Sequence, residues 1–244
     1  MNASKILQQL MQQAGGSQKG SSGVNVKGML EGLSRQLGGG GSDQRSGQTG
    51  SSSGFDMKSL LGGGAMGLLV GSKRGRSMGG KALKYGAIAG VGMLAWKAWQ
   101  NSQAANNQPA TSNDAEGERV DVLSGEIQER RSLELLQAMI MAARADGHID
   151  EQEQVLITEQ IDALGADQEM HNWVERQLKA PLDAEALARE ADSPQAAREM
   201  YLMSVAVTDD QNPMERAWLD QLAQALKLTP DVTKELEHQA QQAG

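Results

Sequence analysis

Six acidic side chains recur at two matching places: Asp146, Asp150 and Glu153 in ARADGHIDEQE, and Asp209, Asp210 and Glu215 in TDDQNPME. Carboxylate oxygens are the ligands that hard divalent cations such as Ca²⁺ and Mg²⁺ require. If the two loops, 146–153 and 209–215, meet across a pseudo-two-fold axis, they form one metal-binding or metal-sensing site. The spacing is not that of an EF-hand, which needs acids at alternate positions before its Gly and a Glu at position 12. A second reading needs no metal. Asp150, Glu153, Asn212 and Glu215 stand where helices begin, and such side chains satisfy free N–H groups and complement the helix dipole. Capping explains Asp146, Asp209 and Asp210 less well, although Asp146-Gly147 also fits an ordinary turn. A third reading makes the loops an acidic docking surface for a basic partner protein.

An internal repeat must position these loops. One offset of 62 residues carries Asp150 onto Asn212, Glu153 onto Glu215, Leu156 onto Trp218 and Leu164 onto Leu226. Upstream it carries Ile140 onto Leu202, Met141 onto Met203 and Ala143 onto Val205. A helix–loop–helix unit therefore appears twice, over 132–165 and 194–227. Between the two, Met170, Trp173, Val174 and Leu178 form the apolar stripe of a further helix. Ser193-Pro194, Asn212-Pro213 and Thr229-Pro230 each place a capping residue before a Pro at the first helical position. Asp150 to Glu153 has the form of a capping box. The spacing predicts helices over 127–145, 151–164, 168–179, 184–191, 194–208, 213–227 and 230–241. Each unit alone exposes an apolar face, and two facing units bury one core. The expected fold is all-α, a C-terminal helical bundle over 120–244 built from two helix–loop–helix repeats. Trp173 and Trp218 are expected to anchor that core, and Met139, Met141, Met200 and Met203 to fill it.

Other chemistries find no residues to run on. The chain has no Cys, which removes disulfides, thiolate nucleophiles and Cys-based zinc sites. His148, His171 and His238 form no recognisable cluster, and no nucleophile, base and orienter assemble from the sequence. An enzyme is not expected. One Phe and two Tyr offer no stacking platform for single-stranded nucleic acid, so nucleic acid is not an expected partner.

The front of the chain is a different material. Residues 1–100 hold 12 Lys and Arg against Glu31, Asp43 and Asp56, so the net charge of −8 leaves −17 on residues 101–244. Residues 1–58 read as low-complexity, largely disordered Gly/Ser/Gln sequence. Two amphipathic patches interrupt them: Ile6, Leu7, Leu10 and Met11, then Met29, Leu30, Leu33 and Leu37. They read as weak transient helices or as membrane-surface or self-docking motifs. A loose repeat relates Asn25–Leu30 to Asp56–Leu61. Residues 59–100 form a Gly-rich, membrane-associated segment. Gly63, Gly67 and Gly71 recur every fourth residue, as do Gly86 and Gly90. Gly inside a helix costs roughly 1 kcal/mol relative to Ala in water, whereas small residues four apart let helices pack closely in a bilayer. A lipid bilayer is thus an expected partner, with a single spanning helix over 83–99 and self-association through these glycines. A hairpin formed with Leu60–Gly71, or a soluble Gly-rich linker, are the alternatives. Lys73, Arg74, Arg76, Lys81 and Lys84 precede the span, which orients the N-terminus to the cytoplasm and the acidic domain to the periplasm. Residues 101–119 read as a polar linker.

The run from Ala143 to Glu153, followed by an apolar helix, resembles the first acidic loop of the TerB-like (tellurite-resistance-associated) helical domains. Asp209 to Glu215 resembles their second loop, without the Gly after its first Asp. The arrangement as a whole is similar to the YebE-type inner-membrane proteins, which join a Gly-rich membrane segment to such a domain. The resemblance covers roughly 55–240. It implies an all-α fold, attachment to the bacterial inner membrane, two adjacent acidic loops and no catalysed reaction. A role in envelope or stress response is implied by the resemblance alone.

Overall fold

Asp167, Asp183, Ser193 and Asn212 each hold the chain extended and turn it into a helix by accepting a free backbone N–H two or three residues ahead. Pro194 and Pro213 follow two of these caps and begin their helices, where a missing N–H costs nothing. The computed structural model describes residues 1–18, 85–105, 113–145, 147, 151–208 and 212–243. In chain order its helices are α1 (Ala3–Gln18), α2 (Tyr85–Ala89), α3 (Val91–Ala105), α4 (Asn113–Glu116), α5 (Gly125–Ala143), α6 (Glu151–Ala163), α7 (Gln168–Lys179), α8 (Ala184–Glu190), α9 (Pro194–Val207), α10 (Pro213–Ala225) and α11 (Pro230–Ala243). The fold is all-α, and no strand occurs among the described residues.

The core is organised on α9. Every residue from Gln195 to Ala206 is buried, because α2, α3, α4, α5, α10 and α11 all pack against this one helix. Leu202, Met200, Met203 and Val205 carry its apolar contacts, each such side chain stabilising by about 1.5–3 kcal/mol. Trp173 and Trp218 are buried as expected, and Met141, Met200 and Met203 fill the core.

The repeat is longer than two helices. α6 and α10 begin at Glu151 and Pro213, and α7 and α11 at Gln168 and Pro230, all at the offset of 62. The third helices share their buried positions: Val174 corresponds to Leu236 and Leu178 to Ala240. The turn before them is also shared. Gly165 has φ +80° and its counterpart Lys227 has φ +56°, the left-handed conformation that closes a helix C-terminus.

Two expectations about the front of the chain meet a different arrangement. The stretch expected to span a membrane over 83–99 is instead α2 and α3, joined at Gly90. Ala87, Ile88, Val91, Ala95 and Ala98 are buried in the domain core, and α3 packs on α9 and α11. No helix among the described residues is long and apolar enough to cross a membrane. Trp99 lies under the Arg198 guanidinium, 5.2 Å from its ring centre. Gly92 has a reason that needs no lipid. A Cβ there would collide with the Asp121 carboxylate, and the Gly92 carbonyl accepts from Gln195 Nε2 at 3.2 Å. Gly86 and Gly90 are half-buried, while Gly63, Gly67 and Gly71 lie outside the described residues.

The first amphipathic patch is likewise a fixed helix. α1 packs on α2 and α5 and buries Ala3, Ile6, Leu7, Leu10 and Ala14. The domain therefore includes residues on both sides of the expected boundary at 120.

Candidate functional site

Glu215 stands in the first turn of α10, is 6% exposed and accepts from Asn212 Nδ2 at 3.4 Å. Asn212 itself caps the helix by accepting from Met214 N at 2.9 Å. This is the capping geometry read from the sequence. Glu153 lies in α6, in the equivalent turn, and nothing is described of its side chain. Asp146, Asp150, Asp209 and Asp210, with His148, lie outside the described residues. Among the described residues no three potential ligands gather at one place.

The flanks of the two loops do meet. Gly147, with φ +105°, has its Cβ direction 3.4 Å from Met214 Cε, and the Met214 side chain is exposed. At the other end of the same helices, Arg131 Nη2 donates to Ser193 Oγ at 3.1 Å and Arg130 lies 3.4 Å from Asp192. Both of these are pairs of repeat-equivalent positions, so the pseudo-two-fold axis passes between them. α5 and α9 thus run side by side in one direction. Their C-terminal ends, Ala143 and Val207, therefore lie at the same end of the pair.

The N-terminal ends of these helices enclose a polar cluster that sequence reasoning did not find. Arg131 is 2% exposed and donates to Glu199 Oε2 at 2.8 Å, to Asp192, and to the Glu118 carbonyl at 3.3 Å. Glu199 is fully buried. Its other oxygen accepts from Val120 N at 3.0 Å and Gln195 Nε2 at 2.9 Å. Burial pushes its carboxyl above the usual range, against the pull of Arg131. Burial would also raise Asp192, but Arg131, Ser193 and Arg130 outweigh it and hold that carboxyl low. Glu134 is 3% exposed, sits 3.5 Å from Arg131 Nε and makes no hydrogen bond at either oxygen. Burial, then the field of Asp192, pushes its carboxyl up to about 7.

A cleft of about 470 Å³ opens above the cluster, walled by Leu123, Ile127, Arg130, Arg131, Asp192 and Ser193. Arg131 has its two terminal nitrogens committed to protein acceptors, so it offers little to a bound anion. The arrangement ties the two halves of the repeat together, and its chemistry is structural. The sequence did carry a signal: Gln195, Arg198 and Glu199 fall in a helix rich in small and apolar residues, where buried polar groups need partners.

His171 Nδ1 pairs with Asp162 at 2.8 Å, which raises its pKa, and His238 bonds Gln242 at 2.8 Å. These are separate surface pairs.

The model of the DUF533 family, described as proteins of unknown function, matches residues 56–240. A protein of Yersinia enterocolitica, described as an uncharacterised protein in the ampR 5′ region, is 33% identical over 109 residues, covering 45% of this chain and 78% of that protein. No solved structure matches. The matched range takes in α2 to α11 and the Gly-rich stretch before them, and the chain belongs to the DUF533 family, whose members carry a TerB-like all-α domain of unknown biochemical role.

Proposed function

We propose that this chain is a protein-interaction module of the YebE type, acting in envelope or stress response. On this reading it docks a partner protein on the face where its two acidic loops emerge. The observation that carries it is that the exposed Met214 places its Cε 3.4 Å from where a Cβ on Gly147 would stand. It sets Gly147 of the first acid-rich segment near Met214 of the second, and an exposed apolar side chain flanked in sequence by acids suits a partner with basic and apolar groups. Inner-membrane attachment is part of the proposal. It rests on the Gly-rich stretch Leu60–Gly71, since the residues from Ala87 to Ala98 are used in the core. The test places a photo-crosslinking residue at Met214 of the full chain in cells. A discrete adduct with one other protein, lost on Asp146→Lys with Asp209→Lys, supports docking; adducts unchanged by the charge reversal refute it.

The same proximity favours a second reading, in which carboxylates from the two segments bind Ca²⁺ or Mg²⁺ and the domain senses the ion. Thermal unfolding of the full chain in chelator and in millimolar cation separates the two. A cation at ~100 times its Kd adds ~2.7 kcal/mol, and Asp146→Asn with Asp209→Asn removes that gain. No shift with either ion rejects the metal reading.

A further inference from the structure

α1 is held by a set of contacts that depend on its sequence. Asn2 Nδ2 donates to the Gly165 carbonyl at 2.7 Å, and Asn2 Oδ1 accepts from Asp167 N at 3.2 Å. The Glu129 carboxylate caps the helix, accepting from Ala3 N and, at 3.0 Å, from Ser4 N. Ala3, Ile6, Leu7, Leu10 and Ala14 then fill a groove between α2 and α5. The groove reads an Asn followed by apolar residues at the first, fourth, fifth, eighth and twelfth places after it.

That pattern occurs again. An offset of 23 residues carries Asn2 onto Asn25, Ala3 onto Val26, Ile6 onto Met29, Leu7 onto Leu30, Leu10 onto Leu33 and Ala14 onto Leu37. The amide that both donates and accepts at Asn2 is matched, and the five buried positions are all apolar, with Val26 and Leu37 larger than Ala3 and Ala14; Met11, packed at the edge of the groove, falls on Ser34. Asp56–Leu61 continues the series less well. Asp56 has no amide to donate to Gly165, and Gly64 stands where Leu10 would be.

We propose that the α1 groove is an exchangeable docking site, and that residues 25–37 of the same chain are its second occupant. These residues lie outside the described ones. They follow α1 too closely for both to lie in one groove, so docking one releases the other. Gly28 stands where α1 has Lys5 and weakens the second helix, which is why α1 is the resident. Tethering to the same domain gives residues 25–37 a high effective concentration without any new contact. Exchange frees the apolar face of α1 for another surface.

The test is a double-mutant cycle on the full chain, read by thermal unfolding. Met29→Asp with Leu30→Asp leaves Tm unchanged while α1 holds the groove. In a Leu7→Ala background, where α1 is weakened but not expelled, the same pair lowers Tm by several further degrees. Equal effects in the two backgrounds overturn the proposal. A second measurement does not depend on stability. The chain has no Cys, so an engineered pair reports alone. Val24 corresponds to Met1, whose ammonium lies 2.5 Å from Glu169. Val24→Cys with Glu169→Cys forms an intrachain disulfide several-fold faster when Leu7→Ala is added. No acceleration sinks the exchange, and a disulfide formed only between chains makes the occupant a second copy instead.

Discussion

Arg131 and Ser193 occupy the same place in the two halves of the repeat, and they touch: the guanidinium donates to the hydroxyl at 3.1 Å. A residue can meet its own counterpart only beside the pseudo-two-fold axis. The charged cluster around Arg131 is therefore the seam between the halves.

Removing one member of a buried ion pair leaves the other uncompensated, at a cost of about 3–5 kcal/mol. Arg131→Leu is expected to lose stability on that scale, since it strands Glu199 and Asp192. Arg131→Leu with Glu199→Leu should recover part of the loss. Chemical denaturation of the full chain measures both, and a double variant worse than the single one would show that the seam needs its charges.

Glu134 predicts a pH dependence. Its folded carboxyl is pushed up to about 7 from the ordinary 4.5, so the folded state holds the proton more tightly between those values. The stability this contributes is fully present below about pH 4.5 and is lost as pH rises through 7. Glu134→Gln keeps a neutral side chain at every pH. It should match the parent near pH 4.5 and exceed it at pH 8, by up to about 3 kcal/mol. Equal differences at both pH values would mean that Glu134 titrates normally.

Lys227 adopts at φ +56° the turn that its counterpart Gly165 adopts at φ +80°. A side chain with a Cβ is strained there, and Gly is not. Lys227→Gly should raise unfolding stability by about 0.5–1 kcal/mol. A loss would mean that the Lys side chain makes a contact worth more than the strain.

Gly92 carries the packing of α3 against α9. Gly92→Val must displace the Asp121 side chain and should cost about 1–3 kcal/mol of domain stability. Thermal unfolding reads this directly. A domain indifferent to the change would return residues 85–99 to an independent segment.

The sequence alone determined the C-terminal helices to within a few residues, because caps, prolines and apolar spacing are local signals. Ser193 and Asn212 needed no tertiary partner to mark a helix start. The repeat followed from the same local pattern at a fixed offset, and with it the expectation that the loops after α5 and α9 emerge together. Gly90, Gly92 and the apolar run around them were legible only as residues that permit close helix packing. Lipid and a protein core both reward that property, so the pattern cannot choose between them. Tertiary structure decided the matter by setting the Gly92 carbonyl against Gln195 and Trp99 under Arg198. It also decided that Arg131 and Glu199, 68 residues apart, share one buried pair. A charge signals only that it needs a partner, and which partner it finds depends on how the halves face each other.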